Sequence, residues 1–260
     1  IWRYNMKNDF EMIVKKLPID VEFVNIYPLG DLHIGSPNFG HDLWYKWKSK
    51  VLNDPNGYVV IIGDLLDNGL KNSKTNSYSA AMRPFEQKEW LKKELAPLKD
   101  KIIGCVRGNH EKRSINESDD CPLYDVLAKL DLEDLYREHM AFVKVSLGFK
   151  NKTRQWSYNL VLHHGGSPNK TKNFSYSIDN MDVLITGHTH TPTTNFPSKI
   201  VIDPRNETVS MVGYIHVVVP SFQKAGGYTL EGMYLPQQDA GRIPILKLKG
   251  TEKGVEMLWI

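Results

Sequence analysis

The sequence predicts an α/β protein in which two β-sheets pack face to face. Two features of the 260-residue chain support this fold class. Segments with helical periodicity alternate with apolar, strand-like runs in the first half, and strand-like runs dominate the second half. Each apolar run also ends in a polar turn. We expect a single domain over residues 1–260, because a chain of this length can bury one full core.

The first half of the chain opens with a strand and a helix. Residues Val21 to Leu29 alternate and cluster like a buried strand. The segment from Asp42 to Leu52 predicts an amphipathic helix, with Leu43, Trp47 and Val51 spaced for one face.

A second strand, "YVVIIGD" (Tyr58 to Asp64), precedes a polar stretch at residues 68–83 that has almost no hydrophobic periodicity. We predict a long loop there. Loops of this length in compact domains tend to be functional lids or disordered segments, so this loop is a candidate substrate lid. Beyond it the sequence predicts a third strand, Lys101 to His110, and helices at 84–95, 122–129 and 132–139.

The second half of the chain consists mainly of predicted strands. They are "FVKVSLG", "YNLVLHHGG", "DVLITGHTH", "KIVID", "VSMVGYIHVVVPS", "RIPILKLKG" and "GVEMLWI".

Composition excludes several classes of protein. The 33 basic and 30 acidic residues nearly balance, unlike those of a protein that binds nucleic acid by charge alone. Two cysteines, Cys105 and Cys121, are too few for a disulfide framework, and Cys105 lies in an apolar run typical of a buried thiol. No apolar run approaches the roughly 20 residues that span a bilayer. We therefore expect a soluble, cytoplasmic protein without a membrane partner.

Five predicted strands end in turns rich in aspartate, asparagine and histidine. These turns read "GDLHIG", "GDLLDNG", "RGNHE", "LHHGG" and "TGHTH". A single histidine in a turn more often has a hydrogen-bonded structural role. Six of the nine histidines, however, fall in these turns, at positions 33, 110, 163, 164, 188 and 190. Because open α/β sheets place ligands at the carboxyl ends of strands, the pattern indicates a divalent metal site there.

The donor types restrict the metal. Carboxylate, amide oxygen and imidazole without thiolate suit Mn, Fe(II), Zn or similar ions rather than a structural zinc. Two such ions about 3.5–4 Å apart would clamp the attacking and leaving oxygens of an in-line phosphoryl displacement. Two ions need a bridging ligand, and Asp64 is the candidate.

The ordered set D-x-H, G-D-x-x-D, G-N-H-[DE], H-G and G-H-x-H between Asp31 and His190 resembles the signature of the calcineurin-like metallophosphoesterases. The resemblance implies a mixed two-sheet β-sandwich flanked by helices, with the metal site at the strand carboxyl ends. It also implies two divalent metal ions held by the following residues. One ion would be bound by Asp31, His33 and His190 and the other by Asn109, His164 and His188, with Asp64 bridging. His163 would face the opposite side of its strand, since neighbouring side chains alternate.

The resemblance implies two further roles. His110 would lie near the scissile phosphate, where it stabilises charge or protonates the leaving oxygen. Asp67 would orient His110, and the alternative for Asp67 is a solvated turn carboxylate.

One position departs from the phosphoprotein phosphatases of the same family. Those enzymes carry an arginine after the second aspartate of G-D-x-x-D, where this chain has Asn68. Phosphate would then be held by other cations, each of which is otherwise an ordinary surface charge. The candidates are Lys71, Lys74, Arg83, Lys112 and Arg113. Tyr78 would either stack on a base or pin its own loop.

The glycine-rich stretch from Ser221 to Tyr234 loosely resembles tails of phage and bacterial phosphoesterases near the DNA-repair exonucleases, and a hairpin turn is the alternative. It favours a nucleotide or nucleic-acid substrate. We therefore predict a phosphodiesterase that hydrolyses a nucleotide or nucleic-acid phosphodiester by attack of a metal-bridging hydroxide. The alternative is a phosphomonoesterase acting on a small molecule or protein.

A binding protein with a vestigial site is a third hypothesis. It conflicts with the full ligand set, whose charges repel unless a metal is bound. The oligomeric state stays open, with a homodimer as one alternative.

Overall fold

The computed structural model describes residues 8–71, 73, 78, 80–151, 154–224, 226 and 242–260 of the chain. Within these ranges the strands are β1 (Ile13–Lys16), β2 (Phe23–Leu29), β3 (Gly57–Ile61), β4 (Ile102–Val106), β5 (Tyr136–Arg137), β6 (Met140–Asn151), β7 (Arg154–His163), β8 (Val183–Thr186), β9 (Thr193–Asn195), β10 (Ser198–Asp203), β11 (Thr208–Gly213), β12 (Ile215–Val218), β13 (Pro244–Lys249) and β14 (Val255–Trp259). The helices are α1 (His41–Leu52), α2 (Pro84–Leu95), α3 (Asn109–Ser118), α4 (Pro122–Ala128) and α5 (Pro168–Ser175).

Two mixed six-stranded sheets form a sandwich. Sheet I has the strand order β14-β13-β2-β3-β4-β5, and sheet II has the order β1-β6-β7-β8-β12-β9. Strands β2 to β5 of sheet I are parallel, as are β7, β8 and β12 of sheet II, while the pairs β2–β13, β13–β14, β6–β7 and β9–β12 are antiparallel. Among the described strands, β10 and β11 pair only with each other. This architecture confirms the predicted α/β fold class, a mixed two-sheet sandwich flanked by helices.

Alternation along the strands divides the core into two layers. In β2, Val24 and Ile26 pack between the sheets, whereas Tyr27 and Leu29 pack against the helices. Gly104 in β4 lets the sheets approach closely, because a Cβ at this position would lie 2.7 Å from a valine methyl of β6. The other residues between the sheets include Val60, Ile62, Val143, Leu160, Leu162, Val183 and Ile185.

Helices α1, α2 and α4 cover the outer face of sheet I. Helix α1 was predicted within one residue of its observed start, and its buried residues are Trp44, Trp47 and Val51. Leu43, predicted on this face, is only partly buried. Trp44 lies there instead, and its indole Nε1 donates a hydrogen bond of 2.9 Å to Glu94 of α2. This bond satisfies the buried indole and ties the two helices together.

The register of the strands aligns their carboxyl ends. In sheet I, Leu29 pairs with Ile61, and Ile61 pairs with Cys105. In sheet II, Leu162 pairs with Ile185. The polar turns that follow these strands therefore begin at matched levels within each sheet.

Two predicted elements are wrong. Residues 132–139 were predicted as a helix, but they form a 3₁₀ turn, Glu133–Leu135, followed by β5. Tyr136 is buried and pairs with Cys105 of β4, so sheet packing overrides the local helical pattern. Residues 209–221, predicted as one strand, form two strands because the chain leaves β11 at Gly213 and enters sheet II at Ile215.

Other segments begin or end elsewhere than predicted. The strand predicted from Lys101 to His110 ends at Val106, and α3 begins at Asn109. The predicted loop at 68–83 contains no helix or strand among its described residues. Lys74, Tyr228 and Tyr234 lie outside the described residues, so the lid and the tail stay predictions. No helix in the described part of the chain is long and apolar enough to cross a membrane.

Candidate metal centre

The turns that follow β2, β3, β4, β7 and β8 meet at one edge of the sandwich. Each predicted site residue lies in or directly after one of these turns. The structure brings together Asp31, His33, Asp64, Asp67, Asn109, His110, His164, His188 and His190. Their roles as ligands or catalytic groups stay predictions.

Asp31, His33 and His190 form the first group of candidate ligands. One ligand atom of each lies within 4.8 Å of the others. Nε2 of His190 is 3.3 Å from Oδ1 of Asp31, and Nε2 of His33 is 3.0 Å from Nε2 of His190. The other carboxylate oxygen fixes the orientation of Asp31, because Oδ2 accepts a 3.0 Å hydrogen bond from the backbone N–H of His188.

Asp64, His164 and His188 form the second group, also within 4.8 Å. Nε2 of His164 lies 3.1 Å from Oδ2 of Asp64. Oδ1 of Asn109 lies 3.0 Å from Nε2 of His164 and 2.7 Å from Nδ1 of His188. The amide oxygen of Asn109 therefore converges on the same space as the two imidazoles.

A third group connects the other two. His33, Asp64 and His110 place ligand atoms within 4.8 Å of one another. Asp64 thus belongs to the second group and contacts His33 of the first. This is the location that a ligand shared by two ions requires.

Unpartnered polar atoms test whether a cation fits this centre. Oδ1 of Asp31 and Nδ1 of His33 are buried and have no hydrogen-bond partner among the described residues. Two imidazole nitrogens, from His33 and His190, also face each other. A buried polar group without a partner costs about 1–3 kcal/mol, which a bound cation would offset at a carboxylate or imidazole. The oxygen and nitrogen donors therefore fit a divalent metal ion.

Burial and neighbouring charges shift the pKa values of two candidate ligands, His33 and His164, in opposite directions. Burial, reinforced by the neighbouring histidines, holds the pKa of His33 well below its usual value, which leaves the neutral imidazole that metals bind. Burial opposes protonation of His164, but the Asp64 carboxylate outweighs it and raises the pKa of His164 to about 10.

The backbone of the centre is left-handed at several predicted ligands. Non-glycine residues adopt positive φ rarely, at a cost of about 1–3 kcal/mol each, and such residues cluster at functional sites. The ligands concerned are Asp31 (φ 51°), His33 (φ 52°), Asp64 (φ 50°), His188 (φ 73°) and His190 (φ 58°). Gly187 helps to place Asp31, because a Cβ at this glycine would collide with the Asp31 carboxylate.

Glu111 is a structural residue that the sequence analysis did not single out, although it occupies the last position of G-N-H-[DE]. Its carboxylate is fully buried on α3 and accepts backbone N–H groups from two turns. Oε2 accepts from Asp64 and Gly108, both at 2.9 Å, and Oε1 accepts from Leu65 and Leu66 at 2.8 and 3.2 Å. Glu111 therefore fixes the turn after β3 to the start of α3.

His110 is oriented by Asp67 mainly through the backbone. Nδ1 of His110 lies 2.7 Å from the carbonyl oxygen of Asp67 and 3.5 Å from its carboxylate Oδ1. Both atoms of Asp67 thus face the same ring nitrogen, and Asp67 is buried rather than a solvated turn residue. The opposite nitrogen, Nε2, lies 2.9 Å from a guanidinium nitrogen of Arg113. Because arginine only donates, Nε2 accepts and Nδ1 carries the proton in this arrangement.

Asn68 faces away from the centre. Its side-chain Nδ2 donates to the His110 carbonyl and to Ser114 Oγ, both at 2.8 Å. Its backbone N–H donates to Gln87 of α2. Asn68 therefore stabilises the start of α3. It supplies no positive charge at the position where the phosphoprotein phosphatases have an arginine.

The other sequence-predicted cations separate into two groups. Lys71, Arg83 and Lys112 are exposed, whereas Arg113 is half-buried and contacts His110.

His163 is not part of the metal-ligand groups found among the described residues, and its Nδ1 accepts the N–H of Gly165 at 2.8 Å. His163 therefore stabilises the turn that contains it. This is consistent with the expectation that His164 is the ligand.

Comparison with known proteins identifies the family of this chain. A family model described as calcineurin-like phosphoesterase matches residues 24–192. Similar solved structures include a single mutant of Vps29 from Entamoeba histolytica, with 14% identity, TM-score 0.40 and coverage of 91% of this chain and 99% of that chain. GAP50, the anchor in the inner membrane complex of Plasmodium, has 11% identity, TM-score 0.48 and coverage of 92% and 85%. No curated protein matches significantly. The family match contains every predicted ligand, and this chain belongs to the calcineurin-like phosphoesterase family.

Proposed function

We propose that this phosphoesterase is a metal-dependent phosphodiesterase acting on a nucleotide or a nucleic acid. The observation that carries the proposal is the convergence of two candidate ligand groups on Asp64. Family membership and these groups support a metal-dependent phosphoesterase, and the diester preference is our further step.

Two divalent ions fit the proposal. One would be held by Asp31, His33 and His190, and the second by the residues Asn109, His164 and His188, with Asp64 shared. Divalent ions at such centres act as Lewis acids toward phosphoryl oxygens and make water nucleophilic near neutral pH. The seven side chains come from five turns, so the fold prearranges them before the substrate arrives.

His110 would supply the proton for the leaving oxygen. Its Nδ1 is held by the Asp67 carbonyl, which aims Nε2 toward the space beside Asp64, where Oδ2 lies 3.9 Å away. A guanidinium nitrogen of Arg113 donates a hydrogen bond to this Nε2 atom. When Arg113 moves to a substrate phosphate, Nε2 becomes free to take a proton and deliver it to the leaving group.

Charge favours a diester over a monoester. A phosphomonoester carries a charge of about −1.5 to −2 at neutral pH, as a phosphorylated side chain does, whereas a diester carries one negative charge. Asn68 stands where the phosphoprotein phosphatases have an arginine, and its side chain faces α3. Arg113 supplies a guanidinium beside His110. One guanidinium in this position matches the single charge of a diester.

Parallel hydrolysis assays test the proposal. Protein reconstituted with Mn²⁺ is assayed on bis-p-nitrophenyl phosphate and on p-nitrophenyl phosphate, with Asp64→Asn as the control. We expect the diester to be the better substrate and its hydrolysis to disappear in Asp64→Asn. Preference for the monoester would assign the chain as a phosphomonoesterase. Equal activity in Asp64→Asn and wild type would contradict the metal assignment.

His110→Ala separates the proton-donor role from metal binding. We expect metal content to stay at the wild-type level while the rate on substrates with poor leaving groups falls by about 10²–10⁴-fold, the usual contribution of general acid catalysis. The activated nitrophenyl ester should be less affected, because its leaving group needs little protonation. Wild-type rates on both kinds of substrate would remove His110 from the mechanism.

A further inference from the structure

The hairpin formed by β10 and β11 is separate from both sheets of the sandwich. We call this hairpin, Ser198–Gly213, the arm. Its two strands pair with each other in antiparallel register and with no other described strand. Its turn is well formed, because Oδ1 of Asp203 accepts the backbone N–H groups of Arg205 and Asn206 at 3.0 and 3.1 Å. The arm is thus a regular element that the main core does not support.

One face of the arm is apolar and exposed. Ile200 lies opposite Met211, and Ile202 lies opposite Val209, so these four side chains share a face. Their exposed fractions are 71%, 73%, 71% and 70% in that order. Surface hydrophobic residues are ordinary when scattered singly, but a contiguous apolar patch marks an interaction site.

The apolar face points away from the rest of its own chain. Lys199 lies on the opposite face of β10, since neighbouring residues of a strand alternate. Its ammonium group pairs with Asp179, which follows α5. The polar side of the arm is therefore anchored to the domain, and the apolar side is directed outward.

An isolated two-stranded hairpin is at best marginally stable in water. A third strand or a packed apolar face is required, and the described residues of the chain provide neither to the outer side of the arm. A partner that covers this face would stabilise the arm.

We propose that the arm is a dimerisation element whose apolar face packs against the arm of a second copy of this chain. The face is self-complementary, because two cross-strand apolar pairs can stack on the same two pairs about a twofold axis. Charge also favours a like partner over nucleic acid. The arm contains two basic residues, Lys199 and Arg205, and two acidic residues, Asp203 and Glu207, so its net charge is zero.

The area of the face sets the strength of the contact. A buried side chain of this size removes roughly 100 Å² of apolar surface, so four side chains exposed to about 70% contribute about 300 Å² per copy. A standard interface buries about 800 Å² per partner. The contact is well below this size, so we expect a weak and reversible dimer whose formation depends on protein concentration.

Light scattering coupled to size exclusion, over a concentration series, tests the proposal. We compare the full chain with Val209→Lys and Ser210→Lys, which place the same charge on opposite faces of β11. Wild type and Ser210→Lys should dimerise with rising concentration. Val209→Lys should weaken the dimer at least a hundredfold, because a symmetric interface contains the substitution twice. A far-ultraviolet circular dichroism spectrum equal to that of wild type shows that each variant is folded.

Three outcomes would overturn the proposal. The first is a wild type that stays monomeric up to about 1 mM, where even a dimer with a millimolar dissociation constant would be populated. The second is a Val209→Lys protein that still dimerises like wild type, and the third is a Ser210→Lys protein that loses the dimer equally. Binding to vesicles of neutral phosphatidylcholine is measured as a further test. A monomeric wild type that binds these vesicles, when Val209→Lys does not, would assign the face to a lipid surface instead. Activity of the metal-loaded enzyme is not a readout here, so the proposed diesterase function can fail independently.

Discussion

At the scale of single residues, the centre combines unfavourable backbone with unpartnered donors. His188 and His190 bracket one threonine, and both adopt the left-handed conformation with φ of 73° and 58°. The cost of these conformations is offset elsewhere, in the apolar layers and in hydrogen bonds to the backbone. The sequence could predict which residue types meet at the centre, because ordered motifs reveal them. It could not predict their φ angles, which depend on how the neighbouring turns pack.

Glycine at position 188 should relieve this strain. In the metal-free protein, we expect His188→Gly to be about 1 kcal/mol more stable toward unfolding than His188→Ala, because glycine adopts positive φ without a steric penalty. The imidazole is exposed, so its loss leaves little cavity. Urea unfolding of the two variants measures the difference. The same pair at Asn180, a left-handed residue away from the centre with φ 57°, is the matched control, and equal stability within each pair would contradict the strain argument.

Among the four sequence-predicted cations that the structure describes, Arg113 is the one that contacts His110. Sequence alone could not rank them, because a contact with His110 depends on the start of α3, which was predicted as the end of a strand. We expect Arg113→Met to lower kcat/KM for the diester by about 10–100-fold, the loss of one charge-assisted hydrogen bond. Lys112→Met, the exposed neighbour, should change it little. Steady-state kinetics measure both, and equal losses would indicate a general electrostatic effect.

At the scale of elements, α3 acts as a clamp on the centre. It begins with two site residues, Asn109 and His110, and the next residue, Glu111, binds the backbone of the neighbouring loop. The motif identified the first two residues by their chemistry. The position of Glu111, three residues after Gly108, is a signal for a carboxylate that caps the helix, and the structure shows that bond. Its contacts with the turn after β3 were not apparent, because they depend on how that turn packs against α3.

Removal of this acceptor should loosen the clamp. Glu111→Gln keeps the shape of the side chain but replaces one oxygen by a donor, so backbone N–H groups of Asp64 and Gly108 lose their partner. We expect the free energy of unfolding to fall by about 3 kcal/mol, within the range for unsatisfied buried donors. Glu117→Gln, exposed on the same helix, should lie within about 0.5 kcal/mol of wild type. Urea denaturation compares the two, and similar stabilities would refute the clamp.

The wrong helix at 132–139 has a related cause. Its local pattern is helical, yet Tyr136 pairs with Cys105 and is 1% exposed. A two-residue edge strand carries almost no local signal, since its stability comes from the neighbouring strand and the core. Long, strongly periodic segments such as α1 and α2 were predicted well because their own apolar faces define them.

At the scale of the whole molecule, the metal links function to stability. Ligands from both sheets meet at the centre, so an ion bound there crosslinks the sandwich. Any ligand that binds only the folded state stabilises it by about 2.7 kcal/mol at a free concentration of 100 times its dissociation constant. We expect Mn²⁺ to raise Tm by about 5–10 °C, given about 2–4 °C per kcal/mol for a chain of this size class.

Scanning calorimetry with and without Mn²⁺ measures this shift. Asp64→Asn, which removes the carboxylate shared by the candidate groups, should lose most of it. His163→Gln, which alters a histidine outside the ligand groups found among the described residues, should retain it. A shift of the same size in Asp64→Asn would place the stabilising ion elsewhere.

The position of β13 in sheet I has a consequence for how the protein folds during its synthesis. Strand β2, near the start of the chain, pairs with β3 on one side and with β13 on the other. All of the candidate metal ligands lie between β2 and β13 in sequence. A chain emerging from the ribosome therefore exposes one edge of β2 throughout the synthesis of the entire centre, and this edge is protected only when β13 has emerged. A distant strand pair closes slowly and an unpaired strand edge favours aggregation, so we expect this chain to be most prone to aggregation before β13 has emerged.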